Sequence, residues 1–417
     1  MNKPTGLSLF KGSGLIALKV RDFRLYWSGL VAQVMGQHMY QFSLGWLSFE
    51  ITGSQAQLGL IHLCAFLPQF SLTLVGGVLA DRIDPRRLIQ GAQTLSAISV
   101  IGIGLLALFG RVEIWHLAVG GFIFGLVNAV DEPSRASFFP RLLPKSHLSS
   151  GIPLIAMAFG TSRMLAPSIA GFIIAAAGAP TVFLMCALGM SVMISMLFLV
   201  RPASSAAAAH GSLLGNLSDS LRYIRANEVF TCVILAALLN ATFLMGYIHV
   251  LPVFAKVVLN VDARGLGLLA SAAGLGALCG LFTFPWLQAR TTPRTAILYA
   301  LSLFSSALIG VGLSTWYSLS CMLLFAVGLG QAHFMTSCQV ILQTLVDDRY
   351  RGRVMAVFTL VWGLVYLSGF LLNITGSITG PRIALAGSGV IVLGYVWLSL
   401  ARSRALRNLV MPAKEAT

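Results

Sequence analysis

The side chains able to do chemistry in this chain are polar residues set inside long apolar runs. Gln33, Gln37 and Gln41 recur every fourth position, so on a helix they form one stripe. Asp131 and Glu132 are adjacent acids near the end of one run, Arg163 sits inside another, and Asn240 inside a third. His38 shares the run of the glutamines, His249 shares that of Asn240, and His62 and His333 lie in two further apolar stretches. Each such group costs free energy in hydrocarbon unless it faces a cavity or a partner. Carboxylates and imidazoles at these places can carry protons, and imidazole titrates near neutral pH. Amides and a guanidinium can hold polar or anionic groups. Tyr40, Trp46, Phe243, Tyr247, Trp362 and Tyr366 offer rings that could stack on an aromatic ligand. The sequence shows no nucleophile motif, P-loop or metal signature, so neither an enzyme nor a bound cofactor or metal is expected. The six cysteines lie in apolar stretches without a CxxC pair and are read as reduced packing residues.

The elements that hold these groups follow from composition. Of 417 residues, 57% are hydrophobic and only 10% charged, far from the roughly one quarter charged of soluble proteins. Apolar runs fall at roughly 24–50, 57–80, 88–110, 115–132, 149–177 and 180–200, then at roughly 229–256, 265–289, 294–314, 317–345, 354–377 and 381–401. Each is near or above the ~20 residues that cross a bilayer, which gives an all-α membrane protein of twelve transmembrane helices. No removable signal peptide is read at the N-terminus. The net charge of +15 does not point to nucleic acid, because the basic residues cluster between apolar runs. Of the 28 Lys and Arg, 23 lie in the tails and even-numbered connections and four in the odd-numbered ones. That bias places both termini in the cytoplasm, with the bacterial inner membrane as the expected home.

A polar, Ala/Ser-rich stretch at 201–226 divides the chain into an N-terminal six-helix half (1–200) and a C-terminal one (227–417) with a short basic tail. A weak internal repeat supports this division. An offset near 203 residues relates 141–145 to 343–348, and one of 208 relates Pro85-Arg86 to Pro293-Arg294.

The connection between the second and third runs reads Gly77-Val-Leu-Ala-Asp81-Arg82-Ile-Asp84-Pro85-Arg86-Arg87. Phe23-Arg24-Leu25-Tyr26-Trp27, Thr52-Gly53-Ser54, Phe66-Leu67-Pro68, Pro133-Ser134-Arg135-Ala136, Leu143-Pro144 and Ser162-Arg163 followed by Pro167 and Gly171 accompany it. Together these resemble the major facilitator superfamily, and within it the drug:proton antiporter branch of enterobactin exporters and macrolide efflux proteins. The chain departs from that pattern at Asp84-Pro85, in lacking in the first run the acid that several drug exporters use, and in lacking in the fourth the arginine that many proton-coupled relatives carry.

The resemblance implies two pseudo-symmetric halves working by alternating access. It implies secondary active export of a small amphipathic molecule, such as a drug, a siderophore or a related metabolite, by proton antiport. A lysophospholipid or other lipid-like cargo is the alternative, and a non-transporting membrane sensor the alternative of another class. The partners expected are small-molecule cargo, protons and the lipid bilayer, with the chain acting as a monomer. Gln33, Gln37, Gln41, Arg163, Asn240, Tyr247 and Tyr366 are candidate cavity residues. Gln33, Gln37, Asn240 and Arg163 lie about 14–21 Å along their helices, near the bilayer midplane, at ~1.5 Å per residue. Asp131 and Glu132, with His38 and His333, are candidates either for proton coupling or for a cytoplasmic gate. By resemblance Gly77, Asp81, Arg82, Arg86, Arg87 and Arg353 form a conformational latch, with Asp81 capping the eleventh helix near Arg353.

Overall fold

A computed structural model of the chain describes residues 16–200, 222–347, 350, 354–355, 357–358, 360–361, 363–403 and 407. Most of the 201–226 stretch, Arg353 and Trp362 lie outside the described residues. The described residues are helical, with no strand among them. The long helices are α1 (Arg21–Thr52), α2 (Gln55–Arg82), α3 (Pro85–Leu108), α4 (Ile114–Phe138), α5 (Leu148–Ala177) and α6 (Ala179–Leu199). They continue as α7 (Glu228–Val258), α8 (Ala263–Arg290), α9 (Pro293–Leu313), α10 (Tyr317–Leu345), α11 (Leu364–Thr379) and α12 (Pro381–Tyr395). Ten of them are long and apolar enough to cross a membrane; α1 is long but more polar, and α11 is the shorter apolar helix. Helix is the form this sequence must take in a bilayer, where backbone N–H and C=O groups have no water to bond. Large apolar side chains such as Leu188, Phe198, Met322 and Ile378 stay exposed along the helices, as lipid-facing positions do.

Two helices depart from the sequence expectation. The fourth run was expected to end at 132, but α4 continues to Phe138 with Pro133 inside it, and a 3₁₀ turn follows (Phe139–Leu142). Asp131 and Arg135 therefore stand one turn apart on a single helix instead of marking its end. The seventh run is not one regular helix. In α7, π-helical turns at Asn240–Leu244 and Phe254–Val258 alternate with α-helical segments. The backbone N–H of Gly246, in the first break, donates to Ser368 Oγ of α11 at 3.0 Å.

The chain forms two compact units: residues 1–44 with 67–209, and residues 45–66 with 210–417. The first has a core where Phe23, Tyr26, Leu30 and Val34 of α1 meet Phe138, Leu154 and Met193. In the second, α8 and α10 cross at small residues, with Gly276 against Phe325 and Gly328 against Ala273.

The repeat is plainer in the backbone than in the sequence. Asp84 caps α3 by accepting from Arg86 N, with Pro85 at the first helical position; Thr292 caps α9 in the same way ahead of Pro293. Arg86 Nη2 donates to Phe198 O near the end of α6 at 3.1 Å, and Arg294 Nη2 donates to Ala401 O beyond α12 at 2.6 Å. The α5–α6 and α11–α12 joints each turn on a glycine with positive φ, Gly178 at 80° and Gly380 at 88°.

Candidate functional site

The first unit holds a buried polar ladder between α1 and α4. These helices run antiparallel, so residues rising on one meet residues falling on the other. Gln33 Nε2 donates to Asp131 Oδ2 at 3.2 Å, and one turn further along Gln37 Nε2 donates to Asn128 Oδ1 at 3.1 Å. The same Asp131 oxygen takes Arg135 Nε at 3.1 Å, and the Arg135 guanidinium also lies over the Phe159 ring of α5 at 5.4 Å. The two charged side chains are almost wholly enclosed, 1% and 8% exposed. An ion pair this deep survives because each charge is the other's counter-ion.

The ladder is only half satisfied. Gln33 Oε1, Gln37 Oε1, Asp131 Oδ1 and Arg135 Nη1 are buried and make no hydrogen bond with any described residue. Buried polar atoms without partners are rare, and each costs about 1–3 kcal/mol. Two amide acceptors, a carboxylate acceptor and a guanidinium donor thus remain free to meet a proton or a polar group of a ligand.

The backbone sets this ladder tightly. Gly76 of α2 lies directly against the Ala129 carbonyl of α4, between Asn128 and Asp131, where any side chain would collide with backbone. Of the paired glycines ahead of Asp81, Gly76 therefore makes the close approach. Gly77, the glycine that matches the family pattern, has nothing within 4 Å of its side-chain direction.

The remaining candidates are distributed unevenly. Glu132 is exposed and points away from the ladder, since neighbouring helix positions diverge by about 100°. His38 Nδ1 bonds its own helix at Val34 O, 2.9 Å. Gln41 and Arg163 are partly buried on α1 and α5. In the second unit Asn240 is fully buried at the start of the first π turn, and its amide N and O have no partner among the described residues. Tyr247 packs edge-on to Phe304, and Tyr366 packs on His249. His333 Nε2 is 2.9 Å from Thr283 Oγ1 of α8. Asp81, Arg82 and Arg87 are exposed around the α2–α3 turn, whereas Arg86 is engaged with α6.

Sequence reasoning missed three participants. Asn128 had a visible signal, a lone amide in an apolar run three residues before Asp131. Gln331 of α10, whose Nε2 lies 3.7 Å from Met245 Sδ, had the same signal. Gly76 had none that set it apart from Gly77.

Comparison with known proteins agrees with this architecture. Residues 12–411 match the family described as transmembrane secretion effector, MFS_3. The chain is 21% identical to the staphyloferrin A transporter of Staphylococcus aureus, over 92% of this chain and 97% of the relative. It is 24% identical to the multidrug efflux pump Tap of Mycolicibacterium fortuitum, over 87% and 91%. With the enterobactin exporter EntS of Citrobacter koseri it shares 24% identity over 85% and 82%. Among solved structures, a bacterial homolog of the human lysosomal transporter Spinster superposes with a TM-score of 0.72 at 16% identity, covering 94% of this chain and 99% of that one.

Proposed function

Because this chain belongs to the transmembrane secretion effector family of major facilitator transporters, we propose that it exports a small amphipathic molecule of the drug or siderophore kind in exchange for protons. Both termini lie in the cytoplasm of a bacterial cell in this reading, as the basic residues favour. The names of the relatives, a multidrug efflux pump, a staphyloferrin A transporter and an enterobactin exporter, support this class of cargo.

One observation carries the proton part: Asp131, shared between Gln33 and Arg135 and buried with a free Oδ1. A proton arriving at Asp131 neutralises the carboxylate and weakens its hold on both neighbours. Arg135 is then a buried cation without its counter-ion, a state costly enough to force a rearrangement. Loss of the proton restores the pair. Alternating protonation therefore gives α1 and α4 two different sets of contacts, as a two-state exchanger requires. Gln33, Gln37 and Asn128, next to this switch, are the groups that meet the polar part of the cargo.

The test is counterflow in proteoliposomes with a panel of siderophores, macrolides and other amphipathic drugs, with and without an imposed pH gradient. At least one cargo is expected to be driven by the gradient, and Asp131→Asn is expected to keep gradient-free counterflow while losing the drive. Transport indifferent to the gradient in the wild type overturns the proton reading.

A further inference from the structure

A second cluster of titratable groups stands apart from the ladder, in the second unit. His62 of α2 and His249 of α7 face each other with ring centroids 4.0 Å apart and planes inclined by 46°. On the other side of His249 lies the Tyr366 ring of α11, 5.3 Å away. Both Nε2 atoms are buried without a hydrogen bond among the described residues, and His62 is 6% exposed. The site is built to hold the pair closely. Gly369 of α11 lies against the His249 ring, where even a methyl group would sit within 3.0 Å of three of its atoms, and Asn373 Nδ2 donates to the His249 carbonyl at 3.2 Å.

The pair is also part of a wider clasp. The tip of the α1–α2 hairpin, residues 45–66, belongs to this unit. Lys256 of α7 sits over the rings of Trp46 and Phe49 at 5.5 and 6.0 Å, and Phe49 and Leu58 pack on Val253. Gly59 abuts Asn373. His62 and His249 add a contact between two imidazoles to this apolar and cation–π attachment.

The surrounding charges do little to balance a proton there. Tyr366 is the titratable group facing the pair from α11. On α7, Tyr247 turns to Phe304 and Lys256 to the tryptophan and phenylalanine of α1. On α1 Glu50 is exposed, and on α2 Cys64 is partly buried two residues from His62. Asp262 caps α8, Arg264 beside it is exposed, and Arg382 of α12 donates to the carbonyls of Gly312 and Leu313. Among the described residues neither imidazole has an ion-pair partner.

We propose that His62 and His249 form a proton-binding site that holds the α1–α2 hairpin tip to α7 and α11 when neutral and releases it when protonated. One proton leaves an enclosed imidazolium that no anion among the described residues is placed to offset, and its charge opposes a second proton on the facing ring. In the orientation given above, the site lies towards the outer face, where it would sense external acidity. It is separate from Asp131, and it rests on the exporter reading only for the purpose the release would serve.

Hydrogen exchange of the 45–66 segment tests this in nanodiscs, without cargo or gradient, so the result does not depend on whether the chain is a proton-coupled exporter. Rates are compared at about pH 7.5 and about pH 5.5, each normalised to intrinsic exchange. The wild type is expected to lose protection roughly tenfold or more at the lower pH, within the ~100-fold limit for one proton taken up over two pH units. The double variant His62→Gln/His249→Gln is expected to show no such step. Lys256→Ala, which loosens the hairpin without touching the rings, is expected to lower protection at both pH values and keep the step. A wild type equally protected at both pH values overturns the proposal without any variant, as does a double variant that retains the wild-type step.

Discussion

In the first unit, α1 meets α4 through charge: Gln33 and Arg135 share Asp131, and Gln37 holds Asn128. In the second, the helices at the same places in the repeat, α7 and α10, meet through neutral groups. Gln331 lies on the Met245 sulfur, and the buried Asn240 amide has no partner among the described residues. The backbones differ in the same sense. Described as α-helix without interruption, α1 contrasts with α7, which is broken by two π turns, the first beginning at Asn240. Such turns are frequent at functional sites. Among the described residues, the buried ion pair thus lies in the first unit and the broken α7 in the second. In the first, the contact between the two helices rests on a charge that a proton can cancel; in the second, one of the two helices has hydrogen bonding that is already loosened.

The sharpest way to break this contrast is to remove charge from the first unit. Asp131→Ala leaves Arg135 buried without its counter-ion and is expected to cost about 3–5 kcal/mol. The neutral counterpart, Gln331→Leu, removes an uncharged amide that contacts the Met245 sulfur and is expected to cost less, about 1–2 kcal/mol. Thermal unfolding of the two variants in detergent compares them directly. The double variant Asp131→Leu/Arg135→Met should recover much of the loss, since an apolar pair can replace a buried ion pair. If it is no more stable than Asp131→Ala, the cost does not come from the stranded charge.

Next in size is the contact that brings α2 onto the ladder. Gly76→Ala pushes a methyl group into the Ala129 carbonyl and is expected to destabilise by about 1–3 kcal/mol and to impair transport. Gly77→Ala meets open space and removes a flexible residue from a helix, so a gain of about 0.5–1 kcal/mol is expected. Equal responses at the two glycines would mean that α2 and α4 can separate at little cost.

How much of this could be read from the sequence divides along physical lines. The helices were legible because a bilayer imposes long apolar runs, and ten of the twelve expected spans meet that test of length and composition. The continuation of α4 past residue 132 was not, because charged residues in sequence mark water. Here Arg135 stays buried by pairing one turn back with Asp131. The stripe of Gln33 and Gln37 was visible from spacing alone, but its partners were not, since they depend on how two helices are rotated against each other. His62 and His249 were each legible as a histidine in an apolar run. Their meeting depends on the hairpin tip packing in the second unit, which no local pattern records. The π turns of α7 left no signal in residue type.

The smallest effect tests where the two halves still agree. Arg86 and Arg294 each follow the proline that opens a third helix, and each donates to a carbonyl at the end of the sixth helix of its half. Carbonyls at a helix end have no partner within the helix and carry the negative end of its dipole, so a cation there is favoured twice. The two bonds are not equal. That of Arg294 is shorter, 2.6 against 3.1 Å, and part-buried where that of Arg86 is exposed. Arg294→Ala is therefore expected to cost about 1–2 kcal/mol and Arg86→Ala roughly half as much. Unfolding of both variants at low and at high salt separates the contributions, because screening weakens the exposed bond more than the enclosed one. If Arg86→Ala costs more, or the salt dependence runs the other way, these arginines are not equivalent caps. The charge of Arg86 would then serve the latch expected around Asp81 in preference to the end of α6.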